Sequence, residues 1–289
     1  MTKGLEKERT QNIILSIAKV LAILFVYLIV GGVFQLIGTL AAGIPFNQIV
    51  SFSDYTVNHN LVIFSFDLMA VLLVVYVFRQ YIDKKSFFSL GFSMYKRFKD
   101  LLAGFFVAAL LFSLGLFILL FTDNIGINWH GFEEIFLFRY FILLLIVALV
   151  EEILFRAYIL SNLMGAINKY VALVISAILF SLLHGLNDHI SFLSLVNLFL
   201  AGILLGISYI FTRNIWFPVS LHLFWNFLQG PVLGFNVSGH KTESLFTLIY
   251  SENNTINGGE FGFEGSVVCS ILSIVFVIVI FVFIKQKHN

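Results

Sequence analysis

Long apolar runs recur along the chain, separated by short polar breaks. A helix needs roughly 20 mostly apolar residues to cross the hydrocarbon core of a bilayer. Eight runs meet that need and predict helices at about 12–38, 61–78, 101–121, 136–162, 170–187, 191–211, 215–231 and 266–284. Within them the apolar residues are continuous, as from Phe141 to Val150. A membrane β-barrel would instead alternate apolar and polar positions. The first run follows Lys3, Lys7 and Arg9. It is far longer than the apolar region of a signal peptide and ends in no clear cleavage site, so it reads as an anchor.

Composition strengthens this picture. Of 289 residues, 60% are hydrophobic and 11% charged, and mean hydropathy is +0.99. Soluble domains carry roughly a quarter charged residues, so a soluble globular enzyme, a disordered chain and a secreted disulfide scaffold are all excluded. The lone Cys269 can form no internal disulfide, and a net charge of +1 offers no basic face to nucleic acid. Basic residues instead set the topology. With the N-terminus inside, Lys3, Lys7, Arg9, Arg79, Lys84, Lys85, Lys96, Arg97, Lys99, Lys169, Arg213, Lys285 and Lys287 share the cytoplasmic side, leaving only Lys241 outside. The acids Asp54, Asp123, Glu133, Glu134, Asp188, Glu243, Glu252, Glu260 and Glu264 fall outside. Both termini are then cytoplasmic. The segment 232–265 is the longest polar interruption and reads as an outer loop. Its Asn236-Val237-Ser238 and Asn253-Asn254-Thr255 triplets match the N-glycosylation pattern, which is common by chance.

Charged residues inside spans cost several kcal/mol and are functional candidates. Lys19 and Arg139 lie near span ends and can snorkel. Asp67 stands alone in the second span, equally readable as a hydrogen-bonded packing residue. The fourth span is different, because it carries Glu151-Glu152 and Arg156. Glu152 and Arg156 are four apart on one helical face and can pair. Glu151 is left without an intrahelical cation, and an uncompensated carboxylate in low dielectric suits a general base. The fifth span has Phe180 and His184 at the same spacing, and the seventh has His222 and Asn226. Either pair alone reads more simply as helix packing.

Depth joins them. At ~1.5 Å per residue from the cytoplasmic span ends, Glu151, His184 and Asn226 lie roughly 17–22 Å in and His222 roughly 11–12 Å in. All four can meet in one cavity, whereas His189 and His240 fall near the outer surface. Such a set suits amide hydrolysis. Glu151 takes a proton from water, His184 holds the water or shuttles the proton, and His222 and Asn226 donate to the developing oxyanion. The same residues allow a second chemistry, in which Glu151, His184 and His222 bind a Zn²⁺ that activates the water. No His-Glu-x-x-His segment is present.

Glu151-Glu152-x-x-x-Arg156, Phe180-x-x-x-His184 and His222-x-x-x-Asn226, in that order on three hydrophobic helices, resemble the signature of the CPBP family, the CaaX proteases and bacteriocin-processing (Abi) enzymes. The resemblance covers about 135–232. It divides the chain into poorly informative N-terminal helices (1–134), a core (135–232), and an outer loop with a final helix (233–289). It implies an all-α, polytopic fold of about eight transmembrane helices enclosing an intramembrane active site. It also implies an endopeptidase acting on membrane-associated, prenylated or precursor peptides, with catalytic Glu151, His184, His222 and Asn226. Glu152 and Arg156 would be structural. No cofactor is favoured, since Asn226 is a poor zinc ligand but a good oxyanion donor; if zinc binds, Glu151, His184 and His222 hold it. The expected partners are a peptide or protein substrate in the membrane and the lipid bilayer, with no nucleic acid. The expected location is a bacterial cytoplasmic membrane. The competing reading is a non-catalytic scaffold or bacteriocin-immunity protein of the same fold, whose mark would be loss of a motif residue. A transporter would predict inverted repeats or broken spans, which the sequence lacks.

Overall fold

The computed structural model describes residues 2–49, 55–131, 134–252 and 254–288. Asp54, Glu133 and Asn253, and the side chains of Lys3 and Lys287, lie outside the described residues. The eight runs become eight helical rods: α1 (Thr2–Ala41), α2 (Val57–Val77), α3 (Phe98–Phe121), α4 (Glu134–Glu152), α5 (Lys169–Leu183), α6 (Phe192–Gly206), α7 (Trp216–Phe227) and α8 (Val267–His288). The protein is an integral, polytopic and mainly helical membrane protein. Among the described residues six helical segments are long and apolar enough to cross a bilayer: α1, α2, α3, α8, and the stretches Lys169–Leu186 and Phe192–Thr212 that contain α5 and α6. The remaining two, α4 and α7, carry Glu151, Glu152, His222 and Asn226.

The surface fits lipid. Ile14, Leu21, Phe25 and Leu28 on α1 and Ile271, Ile278, Val279 and Phe283 on α8 are all exposed. Large apolar side chains at such density are satisfied by acyl chains rather than by water. The interior is reached through small residues. Gly104 on α3 faces α7 so closely that a Cβ there would meet the Leu221 amide nitrogen at 2.7 Å and the Phe217 carbonyl at 2.9 Å. Small residues let membrane helices approach where no hydrophobic force drives them together. Around α7 the bundle places α3, α4 and α6, with α5 against α6 and α2 against α4.

The all-α, polytopic expectation holds for the bundle, and one small ribbon is added to it: β1 (Ile125–Trp129) pairs antiparallel with β2 (Phe246–Tyr250), Ile127 opposite Leu248. Two five-residue strands leave little trace in a search for long apolar runs, and a lone ribbon is marginal unless something supports it. Here Trp129 and Phe246 stack edge to face across it, and Asn257 donates to the carbonyls of Asn124 and Ser251 at its base. The described part of segment 232–265 is therefore a folded cap on the bundle. Replacing Gly104 by Ala should lower the melting temperature of detergent-purified protein, since overpacking costs roughly 1–3 kcal/mol. A melting temperature equal to wild type would show that the α3–α7 contact is looser than described.

Candidate active site

Successive residues on a helix point about 100° apart, and the two neighbouring carboxylates at the end of α4 diverge accordingly. Glu152 is fully buried, while the side chain of Glu151 keeps 24% exposure and lines a cavity of about 260 Å³. Directly after Glu152 the helix widens into π-type turns over Ile153–Leu160. Such departures from α geometry recur at functional sites. Arg156 lies in this stretch and donates to Glu152 Oε1 at 2.9 Å. It also donates to the Gly202 carbonyl on α6 at 3.3 Å and sits 4.6 Å from the centroid of the Phe180 ring.

The sequence gives no hint of what else Glu152 does. Its Oε1 also meets His222 Nδ1 at 2.8 Å, a contact between residues 70 apart. A carboxylate on Nδ1 orients the imidazole and directs Nε2 away from it. That Nε2 lies 3.9 Å from Glu151 Oε2. His184 arrives from another direction, at the C-terminal cap of α5. Its Nδ1 lies 2.8 Å from the Phe180 carbonyl. A carbonyl only accepts, so Nδ1 carries the hydrogen, and Nε2 is the ring nitrogen turned toward Glu151 Oε2, 3.7 Å away. The Phe180-x-x-x-His184 spacing thus combines a backbone acceptor with a ring that packs on both His184 and Arg156. Asn226, one turn beyond His222 on α7, also lines the cavity.

Glu151, His184, His222 and Asn226 therefore surround one cavity, while Glu152 and Arg156 are sealed behind it. Asp67 does not line the cavity; it is buried between α1 and α2, where the Tyr27 hydroxyl reaches its two oxygens at 3.0 and 3.1 Å. Glu151 Oε2 is buried and makes no hydrogen bond among the described residues. The rest of the lining is largely apolar, including Leu144, Val147, Leu198 and Leu205.

Two further residues depart from expectation. His240, set apart as an outer-surface residue, lines the cavity. Glu264, counted among the outer acids, is buried and holds the cap to α7. Its Oε1 accepts from Trp225 Nε1 at 2.9 Å, and its Oε2 accepts from the Ser238 amide and hydroxyl at 2.8 and 2.7 Å. Asn197 on α6 donates to the Glu264 carbonyl at 2.7 Å. Trp225 stands between the two motif residues His222 and Asn226, so the cap is fastened to the helix that presents them. A glutamate in a polar segment carries no mark of this, because its partners come from α6, α7 and its own loop.

The fold and site define a class: a polytopic membrane protein that buries a carboxylate–imidazole cluster beside an apolar cavity. Residues 133–228 match the family model described as Rce1-like, type II CAAX prenyl endopeptidase, over about a third of the chain. That segment runs from the start of α4 to just past Asn226 and contains every motif residue. No curated protein matches the chain at a significant level.

Two outcomes follow. Arg156→Ala leaves Glu152 buried without its cation, and breaking a buried pair costs roughly 3–5 kcal/mol. The variant should lose yield and melting temperature together; a stable variant would show that Arg156 is dispensable to the fold. Burial pushes the His240 imidazole below its ordinary pKa. Its contribution to cap stability is then fully present above the unfolded value of about 6.5 and is lost as pH falls through the lower folded value. Protection factors of residues 237–242, with the intrinsic exchange rate at each pH divided out, should fall on acidification from pH 7 to 5. In His240→Gln that fall should disappear, and its persistence would assign it to another group.

Proposed function

We propose that this protein is an intramembrane endopeptidase that hydrolyses peptide bonds with a water activated by Glu151 and His184. The observation that carries the reading is the division of the carboxylate pair. Glu152 is neutralised by Arg156 and bound to His222, while Glu151 Oε2 faces the Nε2 atoms of His184 and His222 across 3.7 and 3.9 Å, too far for a direct hydrogen bond. A water about 2.8 Å from each acceptor fits that gap and supplies the missing hydrogens.

In the proposed reaction the water oxygen attacks the carbonyl carbon of the scissile bond as its proton passes to Glu151. His184 Nε2 orients the water. Two carboxylates face one guanidinium in this cluster, so a proton on His222 makes it neutral and gives Nε2 a hydrogen to donate. His222 Nε2–H and the Asn226 amide then hold the oxyanion of the tetrahedral intermediate. Its collapse breaks the C–N bond, and the proton held by Glu151 goes to the departing amine. The apolar lining suits hydrophobic side chains or a lipid-modified segment, in keeping with a membrane-associated or prenylated substrate, or a precursor peptide. A bacterial cytoplasmic membrane, with both termini on the cytoplasmic side, agrees with the distribution of Lys and Arg.

A metal-free route is part of this proposal. Glu151, His184 and His222 are zinc-ligand types, but bonds of about 2.0–2.1 Å at tetrahedral angles bring ligand atoms to about 3.3–3.5 Å. The two spacings to Glu151 are wider, and no group of three or more His, Cys, Asp or Glu among the described residues is arranged to hold a metal ion. No step above runs through a metal.

Glu151→Gln keeps the side chain's size and removes the base. Cleavage of a peptide identified by screening the wild-type enzyme against a membrane-peptide library should fall by roughly 10²–10⁴. Wild-type rates from the variant would refute the assignment. Protein whose zinc content by elemental analysis is far below one per chain should cleave at full rate; activity that scales with added Zn²⁺ would overturn the metal-free route and leave the peptidase reading standing.

A further inference from the structure

A second depression, of about 600 Å³, opens where the basic ends of several helices meet, away from Glu151. Four cations line it: Lys19 of α1, Arg79 just past α2, Lys85 in the following loop and Arg213 beyond α6. Its walls hold a single carboxylate, Asp83. That carboxylate is already engaged. Lys19 Nζ reaches Asp83 Oδ1 at 2.7 Å, Arg79 reaches Oδ2 at 3.4 Å, and the Asn162 amide lies 3.3 Å from both oxygens. Lys19 is therefore part of a buried-side network rather than a snorkelling residue. Arg79 is buried and also donates from Nε and Nη2 to Ser89 Oγ at 3.1 and 2.8 Å, which fixes its plane in the floor of the depression.

Lys85 and Arg213 are exposed at the rim and form no ion pair among the described residues. The general bias that places Lys and Arg on one side of a membrane accounts for their sign, but not for four cations from separate elements facing one concave space. Positive charge in such excess, with guanidinium donors held in place, is the chemistry that recognises phosphate. Beside the rim, α1 presents Ile14, Leu15, Ile17 and Leu21, exposed at 61%, 54%, 46% and 58%. Leu15 also lines the depression. An apolar track thus leads directly from the polar site along the outside of the bundle.

We propose that this depression binds a phosphate group, and that its source is the headgroup of an anionic phospholipid whose acyl chains run along the exposed face of α1. The proposal is independent of the peptidase reading. Protein purified in detergent would be titrated with phosphatidylglycerol, with phosphatidylcholine and with inorganic phosphate, and binding followed by native mass spectrometry and by thermal shift. Phosphatidylglycerol should be retained and should raise the melting temperature, while phosphatidylcholine should do neither. The double variant Lys85→Gln/Arg213→Gln should weaken phosphatidylglycerol binding roughly tenfold or more, since each basic residue near an anionic headgroup contributes several-fold. Lys99→Gln, which removes a basic residue outside the depression, should bind as wild type. Equal retention by the double variant and wild type would overturn the site. Inorganic phosphate that binds as tightly as the lipid, and displaces it, would overturn the lipid source in favour of a free phosphate ester.

Discussion

A carboxylate sealed inside a membrane bundle must be neutralised where it stands, because water cannot reach it. Glu152 is such a group, and its neutralisation organises the centre of this protein. Arg156 supplies the charge from the next turn of the same helix, and the unused guanidinium donors and face engage the Gly202 carbonyl on α6 and the Phe180 ring on α5. The remaining contact of Glu152 Oε1 is His222 on α7. One buried charge thus ties together four of the helices that line the cavity. Because Glu151 is the next residue round the same helix, fixing Glu152 inward turns Glu151 toward the cavity.

The cavity is completed by the cap. Glu264 joins Trp225 on α7 to the Ser238 turn, and Asn197 on α6 holds the same segment by its backbone. The cap includes one strand of the two-stranded ribbon and brings His240 to the cavity wall. In a recessed, largely apolar space, fixed dipoles and charges act at low effective dielectric and are worth more than on a surface. This is the physical reason for placing an acid, two imidazoles and an amide at such depth, where each is costly to bury.

Helix periodicity and bilayer thickness make much of this legible beforehand. The eight rods follow from apolar runs, because a helix is the one way for a lone segment to satisfy its backbone in lipid. The Glu152–Arg156 pair follows from i,i+4 spacing, and the meeting of Glu151, His184, His222 and Asn226 was expected from depth. What stayed hidden depends on contacts between distant segments. The Glu152–His222 bond, the clasp of Glu264 on Trp225 and the β1–β2 ribbon each join residues that have no periodic relation. Glu264 in particular sits among Gly, Asn and Glu residues that read as solvated loop, and only three partners from separate elements reveal it as buried.

The central claim is that two adjacent carboxylates do different work, one holding the fold together and the other facing the reacting water. Thermal unfolding of Glu151→Gln and Glu152→Gln, side by side in the same detergent, tests it most directly. The account predicts that Glu152→Gln melts well below wild type, because Arg156 and His222 lose their shared counter-charge. Glu151→Gln should melt at or above the wild-type temperature, because a cavity-facing charge without a cation is removed. Equal losses in both variants, or a loss confined to Glu151→Gln, would contradict the division of roles.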